Sequence, residues 1–224
     1  MRTLSEAELE TLLEGAQTIE EDGLGLKVAR LRGGDFLKLY RRKRLLSSAL
    51  WSPPARRFAR NAEHLHRLGI AAPTIEELLL IPGRQLNGVR YRPLPGETLR
   101  NHWRGLSDDA RETEVQRFGA FLGQLHQLGV YFRSLHLGNV LRLPEGDFGL
   151  IDLSDMKIEN RPLAAWKRRR NFHHILRYEE DIAWLTGQHR QAWVRGYAQS
   201  CGQTAAIQFA RNLQRIHPLT AATR

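Results

Sequence analysis

The sequence predicts an α+β protein with a small antiparallel sheet followed by a mostly helical region. Short apolar runs separated by glycine and proline turns fill the first 93 residues, as in antiparallel strands. A break at Pro93-Leu94-Pro95-Gly96 ends this pattern. Beyond it, apolar residues recur at three- and four-residue spacing, as in amphipathic helices. We therefore divide the 224 residues into a sheet-rich part, 1–93, and a helical part, 94–224.

The charge balance predicts an anionic partner. The chain has 34 basic and 24 acidic residues, a formal net charge of +10. Such a surplus suits phosphate groups, nucleic acid or the anionic surface of a membrane. The chain shows no helix-turn-helix, zinc-finger or ribonucleoprotein motif, which disfavours nucleic acid. The basic residues concentrate in three runs, Lys38–Arg44, Arg56–Arg60 and Lys167–Arg170.

The remaining composition predicts a cytoplasmic protein, with peripheral contact to the inner membrane as a further expectation. No apolar run approaches the roughly 18 residues that a membrane span needs. The first 16 residues are acidic and helical in pattern, unlike a secretory signal. The single cysteine, Cys201, excludes an internal disulfide and fits a reducing compartment.

The first part contains a short helix, two hairpins and a second helix. Ser5 and Glu8 form a capping-box pattern, and the chain becomes extended from Gln17. A Gly-Gly-Asp turn separates strands over Leu26–Leu31 and Phe36–Tyr40, which places Lys38 in mid-strand. A helix over 55–68 and strands over Glu76–Ile81 and Asn87–Arg92 complete this part.

A polar loop and a hairpin follow the main helix of the second part. Ser107 caps a helix over 108–128, which Gly129 ends before the loop over 132–139. Apolar runs over Val140–Leu143 and Phe148–Leu153 then flank a Pro-Glu-Gly-Asp turn. A hairpin here would let Asn139 and Asp152 share one divalent ion, and oxygen ligands of this kind suit Mg²⁺.

These motifs resemble the protein-kinase-like superfamily. The order of loop, Asn, hairpin and Asp is similar to a catalytic loop of the form H-R-D-x-x-x-x-N and its metal-binding aspartate. The chain matches at Arg133 and Asn139, and LHLGN resembles the LHxxN variant of small-molecule and lipopolysaccharide kinases. The resemblance implies a two-lobed fold, ATP and Mg²⁺, with the metal on Asn139 and on Asp152 in the segment over 150–156.

The resemblance also implies residues that bind the nucleotide. Lys38, in FLKLY, matches the strand lysine that holds phosphates, and Gly23 and Gly25 mark the phosphate-covering turn. The family pairs that lysine with an acid on the following helix, where Glu63 and Asn61 are alternatives. Adenine would meet the backbone from Tyr91 to Leu94.

The catalytic loop departs from the family at Phe132, for His, and at Ser134, for the catalytic Asp. Ser134 cannot accept the acceptor's hydroxyl proton because its own pKa is far too high. His136 either hydrogen-bonds the loop backbone, the interpretation that we favour, or serves as a substitute base. Asp155 would be a second metal ligand or a turn cap.

The sequence after Ile158 enters a basic helix over Leu163–Tyr178 without an activation segment ending in Ala-Pro-Glu. This is similar to bacterial lipopolysaccharide core (Kdo/heptose) kinases and toluene tolerance-type proteins. The implied acceptor is an anionic glycolipid or sugar phosphate, which Arg133 or the basic helix could steer. The alternatives are a pseudokinase with a binding or scaffolding role in envelope biogenesis, and transfer of another part of the nucleotide.

Overall fold

The structure is a computed structural model that describes residues 1–41 and 53–216. Helix accounts for 51% of it and strand for 24%, which confirms the α+β class. The strands are β1 (Arg2–Thr3), β2 (Gln17–Asp22), β3 (Gly25–Arg30), β4 (Phe36–Arg41), β5 (Thr74–Ile81), β6 (Leu86–Arg92), β7 (Glu97–Thr98), β8 (Val130–Phe132), β9 (Val140–Arg142), β10 (Phe148–Leu150) and β11 (Met156–Ile158). The helices are α1 (Glu6–Leu13), α2 (Pro54–Arg67), α3 (Leu99–Arg104), α4 (Asp108–Gln127), α5 (Ala165–Ile175), α6 (Glu179–Ile182), α7 (Arg190–Cys201) and α8 (Gln203–Ile216), with a π-helical segment over Ala183–Gln188.

The chain divides into two compact units, and the first of them is discontinuous. Unit 1 comprises Met1–Pro95 together with Leu150–Asp155. Unit 2 comprises Gly96–Gly149 and the described residues from Met156 onward. The first division falls inside the proline-glycine break. Residues 150–155 lie in unit 1, although their position in the sequence suggested the helical part.

Unit 1 is built on a six-stranded mixed sheet. Its strand order is β1-β5-β6-β4-β3-β2. The purely antiparallel sheet expected from the sequence is corrected at one edge, where β1 pairs with β5 in parallel. This strand has two residues, too few to show any alternation of apolar and polar side chains. Both predicted hairpin strands are confirmed, with Lys38 opposite Val28 and Val89.

The alternation of side chains along β4 separates a hydrophobic core from the face that carries Lys38. Leu37 and Leu39 join a buried cluster with Leu9 of α1. Successive side chains on a strand point to opposite faces, so Lys38 and Tyr40 lie on the other face. This second face packs on α2, as shown by the contact between Phe58 and Tyr91, whose ring centroids are 5.1 Å apart.

Helix α2 begins against the sheet because a strand residue caps it. Pro53 at its N-terminus offers no side-chain cap, and the Ala55 N–H donates instead to Asn87 Oδ1, at 3.1 Å. Asn87 in turn donates to the Tyr40 carbonyl, at 3.2 Å. One asparagine of β6 therefore fixes the start of α2 relative to β4.

Unit 2 is a helical bundle with an aromatic core and two small sheets. The sheets are β10-β9-β7 and the antiparallel pair β11-β8. Phe172 of α5 and Phe209 of α8 are 4.3 Å apart between ring centroids, and Trp193 of α7 meets Phe209 edge-on. Helices α4 and α7 approach so closely that a Cβ at Gly196 would lie 1.8 Å from the Gln116 carbonyl oxygen.

Two sequence expectations need correction, and some lie outside the described residues. The second hairpin strand ends at Leu150 instead of Leu153, and Asp152 just beyond it has a left-handed backbone. The helix expected over Leu163–Tyr178 is shorter, Ala165–Ile175. The last three residues of the first basic run, 42–44, lie outside the described part of the chain.

Candidate functional site

A partly buried ion pair between Lys38 and Asp152 marks the candidate site in unit 1. Lys38 Nζ lies 2.7 Å from Asp152 Oδ1, with 15% of the lysine side chain and 40% of the aspartate side chain exposed. The second carboxylate oxygen, Oδ2, has no hydrogen-bond partner among the described residues. A lysine whose charge is balanced and a carboxylate with one open oxygen are thus held together on one face of the sheet.

Asp152 adopts a backbone conformation that few residues other than glycine accept. Its φ is 57°, and Gln85 is the only other described residue besides glycines that has a positive φ. A left-handed backbone is disfavoured for residues with a Cβ, although Asp and Asn tolerate it best. Strained residues of this kind cluster at functional sites, where the surrounding structure holds them in place.

Helix α2 holds the turn that carries Asp152. Asn61 Nδ2 donates to the Leu153 carbonyl at 2.7 Å, and Arg57 Nε donates to the Ser154 carbonyl at 3.0 Å. On the preceding side, the Leu150 N–H donates to the Ala71 carbonyl at 2.9 Å. These bonds fix residues 150–155 on both sides of the strained residue.

The carboxylate partner of Lys38 in the structure is Asp152. The pairing of Lys38 with Glu63 or Asn61, the two alternatives on α2, stays a prediction. Glu63 lies on the exposed side of α2, and no ion pair joins it to Lys38 in the described part of the chain. Asn61, the alternative on this helix, is 3% exposed and directs its amide nitrogen to the Leu153 carbonyl. It positions the turn that carries the partner of Lys38.

Two tyrosines surround the ion pair. Burial and then the nearby charge of Asp152 raise the pKa of the Tyr40 hydroxyl well above its ordinary value. Burial raises the pKa of Tyr91 for the same reason, with Asp152 again contributing. Tyr91 packs its ring between Phe36 and Phe58, so its side chain belongs to the core of unit 1. Its predicted backbone contact with adenine stays a prediction.

Gly23 and Gly25 lie in the turn between β2 and β3. Asp22 Oδ1 closes this turn by accepting from the Leu24 N–H, at 2.9 Å. Gly25 has a φ of 110°, which requires glycine. Arg41 pairs with Asp22 at 3.2 Å and donates to the Leu24 carbonyl. The turn is well formed, and its role in covering phosphates stays a prediction.

Unit 2 carries the loop over 132–139. Hydrogen bonds between residues of the loop determine its shape. Asn139 Nδ2 donates to the Ser134 carbonyl at 2.8 Å, and the Asn139 side-chain oxygen accepts no hydrogen bond from the described residues. The Gly138 N–H donates to His136 Nδ1 at 3.1 Å, which confirms the backbone role favoured for this histidine. A neutral ring that accepts at Nδ1 carries its proton on Nε2, so the loop backbone occupies the basic nitrogen of His136.

The ion pair between Arg100 and the buried Asp181 supports the same loop through a hydrogen bond to its backbone. Asp181 is fully buried, binds Arg100 through both carboxylate oxygens at 2.8 and 2.9 Å, and accepts from the Leu137 N–H at 3.2 Å. Its hydrogen bond to Arg100 raises the pKa of that guanidinium. Sequence analysis missed both residues because Asp181 belongs to an acidic run, Glu179–Asp181, in which nothing marks the buried member.

The two loop positions that depart from the family pattern differ in exposure. Phe132 is 1% exposed at the end of β8, where its carbonyl accepts from Asn171 Nδ2 at 2.7 Å. Ser134 is half-buried, and Arg133 is exposed. Phe132 is therefore a core residue, and Arg133 lies at the surface.

Two described side chains carry oxygen atoms of the kind that Mg²⁺ accepts. Asp152 offers a free carboxylate oxygen, and Asn139 a free amide oxygen, which are ligands that Mg²⁺ accepts in small number. Residues 1–41 and 53–216 contain no group of three or more His, Cys, Asp or Glu side chains that could hold a metal ion. The sharing of one ion by Asn139 and Asp152 stays a prediction, because these residues belong to different units.

Comparisons with known proteins supply no family name. A scan against protein-family models finds no match, and a search of curated proteins finds none. Within the described residues, no helix is long and apolar enough to cross a membrane. Any functional assignment therefore rests on the residues and geometry described above.

Proposed function

We propose that the protein is an ATP-dependent phosphotransferase with a kinase-like arrangement of two lobes. The observation that carries this proposal is the ion pair between Lys38 and Asp152 beside a strained backbone. Structural ion pairs do not need an unfavourable φ, whereas a metal-binding carboxylate must be aimed at its ligand. The free-energy cost of the left-handed backbone at Asp152 supports a role for this residue in binding a ligand.

The proposed roles follow from the chemistry of each side chain. Lys38 would hold the phosphates of ATP, and Asp152 and Asn139 would supply oxygen ligands to Mg²⁺. Mg²⁺, when bound, neutralises charge on the transferred phosphoryl group. Arg133 is an exposed cation that draws an anionic acceptor toward the loop. The acceptor that we propose is a sugar hydroxyl of the lipopolysaccharide inner core.

The second candidate is a pseudokinase that keeps the fold as a binding or scaffolding protein in envelope biogenesis. It is favoured by Ser134 at the position of the catalytic base, together with a His136 whose Nδ1 is engaged by the loop backbone. Phosphoryl transfer depends mainly on positioning and charge neutralisation, so loss of the base lowers the rate without abolishing the reaction. Transfer of another part of the nucleotide is the third candidate, because it relaxes the need for that base.

Calorimetric titration tests nucleotide binding directly. We expect the wild-type protein to bind ATP only when Mg²⁺ is present, and Asp152→Asn to lose this dependence because one carboxylate ligand is gone. Asp147→Asn is the matched control, since Asp147 is an exposed aspartate in the turn between β9 and β10. No binding at millimolar ATP, or equal binding by both variants, would refute the proposal.

An acceptor assay then separates the three candidates. Incubation with ATP, Mg²⁺ and purified core oligosaccharide gives a product heavier by one phosphoryl group if the protein is a kinase. A product that contains the nucleotide's other part identifies the third candidate. A gain in rate on Ser134→Asp is expected of a kinase that lacks its base, and no product from either protein indicates the pseudokinase.

A further inference from the structure

Helix α5 of unit 2 has one buried face and one exposed face of distinct chemistry. Phe172 and Ile175 are almost fully buried. Successive residues of an α-helix are about 100° apart around its axis. On the side opposite the buried residues, an arc of about 100° contains four exposed side chains, those of Trp166, Arg169, Arg170 and His173. Arg177, just beyond the helix, continues this line and is also exposed. We call these five residues the 166–177 stripe.

The arginines of the stripe lack a negative partner. Among the described residues, no carboxylate lies within ion-pair distance of Arg169, Arg170 or Arg177, whereas the neighbouring Lys167 pairs with Glu159. Many other surface arginines of this chain are paired, for example Arg104 with Glu180 at 2.6 Å. The stripe is therefore a concentration of unneutralised positive charge.

Trp166 gives the stripe an aromatic anchor. Its side chain is 58% exposed, whereas Trp103, Trp184 and Trp193 are 0 to 8% exposed in the core. The Lys167 ammonium lies 5.2 Å from the centre of its ring. An exposed indole among cations is typical of proteins that rest at the boundary between lipid headgroups and acyl chains, because its ring is apolar and its N–H is polar.

We propose that the 166–177 stripe binds the surface of an anionic lipid bilayer. Trp166 enters the headgroup region, and the guanidinium groups of Arg169, Arg170 and Arg177 bind lipid phosphates. Charge complementarity and the exposed indole on the same side of one helix favour lipid over nucleic acid. This inference is independent of the proposed phosphotransferase activity, since it uses no residue of the site around Lys38.

Vesicle sedimentation of the full chain tests the stripe. We expect binding to vesicles that contain phosphatidylglycerol and little binding to pure phosphatidylcholine. Arg169→Gln with Arg170→Gln should weaken binding roughly 25-fold, about fivefold for each arginine near an anionic surface. The matched control is Arg56→Gln with Arg60→Gln, which removes the same charge from two exposed arginines of α2. Circular dichroism verifies that both variants fold.

Fluorescence supplies an independent readout of Trp166. Trp51 lies outside the described residues, so the experiment is done in a Trp51→Phe background. Anionic vesicles should shift the emission of this protein to shorter wavelength, and adding Trp166→Phe should remove that shift, because Trp103, Trp184 and Trp193 are already buried. Equal weakening by the control pair, or a shift that survives Trp166→Phe, would overturn the proposal. Preferential release from vesicles by a short RNA, through the same arginines, would overturn it in favour of nucleic acid. ATP titration of these variants is expected to match the wild type, which separates this test from that of the enzyme.

Discussion

At the scale of single residues, Asp152 combines a charged side chain with a left-handed backbone conformation that is unfavourable for a residue with a Cβ. Asp152→Gly and Asp152→Ala both remove the carboxylate, but only glycine accepts a φ of 57° without strain. We expect the glycine variant to be more stable than the alanine variant by roughly 1 kcal/mol, the cost of a left-handed residue with a Cβ. Urea unfolding of the two variants measures this difference directly. Equal midpoints would mean that the turn relaxes once the carboxylate is lost.

His126 makes the stability of unit 2 depend on pH. It is fully buried between the Tyr197 hydroxyl at 2.9 Å and Asn171 Oδ1 at 3.2 Å, and burial lowers the pKa of His126 to about 3. In the unfolded chain, His126 is therefore protonated below its ordinary pKa of 6.5. In the folded chain, it is protonated only below about pH 3. The contribution of His126 to the free energy of unfolding is fully present above pH 6.5. It falls by roughly 1.4 kcal/mol per pH unit as the pH drops from about 6.5 to about 3.

The variant His126→Gln checks this linkage. It is expected to be less stable at pH 7, because one hydrogen bond of the buried network is disturbed, and to lose stability less steeply between pH 6 and pH 4. Denaturant midpoints measured across that range give the slope for each protein. His66 is a suitable control position because its side chain lies at the exposed surface of α2. Parallel slopes for wild type and His126→Gln would contradict the linkage.

At the scale of elements, the contact between α4 and α7 depends on the absence of side chains. A Cβ at Gly196 would meet the Gln116 carbonyl oxygen at 1.8 Å, and one at Gly119 would meet the Trp193 carbonyl oxygen at 2.4 Å. Backbone atoms cannot move aside as a flexible side chain can, so Gly196→Ala must separate the two helices. We expect a loss of stability of at least roughly 1–3 kcal/mol, the usual cost of overpacking.

Gly187→Ala is the matched control for this contact. Gly187 lies in the π-helical segment, and a Cβ there would have no atom within 4 Å. Thermal unfolding should leave this variant within about 0.5 kcal/mol of wild type, as for most surface substitutions. A Gly196→Ala protein as stable as the control would show that the helices can separate at little cost.

The sequence predicted those elements whose pattern is long enough to repeat. The strand β4 and the helices α2 and α4 were found because alternation or helical spacing continues over several residues. The strand β1 and the helix α3 have two and six residues, and they form because neighbouring elements bind them. Local sequence carries little information about elements that depend on tertiary contacts.

The candidate site shows the same limit. Lys38 was identified from its mid-strand position and its resemblance to the strand lysine of kinases, and Asp152 from its place near the end of an apolar run. Their 2.7 Å contact was not foreseen, because it joins residues that are 114 positions apart. The left-handed backbone of Asp152 was also missed, since such an aspartate has no signature in the sequence without glycine or a turn motif.

At the scale of the whole molecule, the discontinuity of unit 1 predicts how its pieces behave in isolation. Residues 1–95 alone lack the turn that accepts hydrogen bonds from Arg57 and Asn61 and the carboxylate that balances Lys38. We expect this fragment to melt at lower temperature than the same fragment joined by a flexible linker to residues 148–157. Circular dichroism measures both. Identical melting curves would show that the added segment does not stabilise the sheet.

This discontinuity also has a consequence for synthesis on the ribosome. About 60 residues separate Pro95 from Asp155, which corresponds to roughly 3–12 seconds of translation at about 5–20 residues per second. Throughout that interval the nascent chain carries all six strands of the sheet, while Lys38 lacks the carboxylate of Asp152. Unit 1 therefore gains the turn that Arg57 and Asn61 hold only after residues 150–155 have left the ribosome.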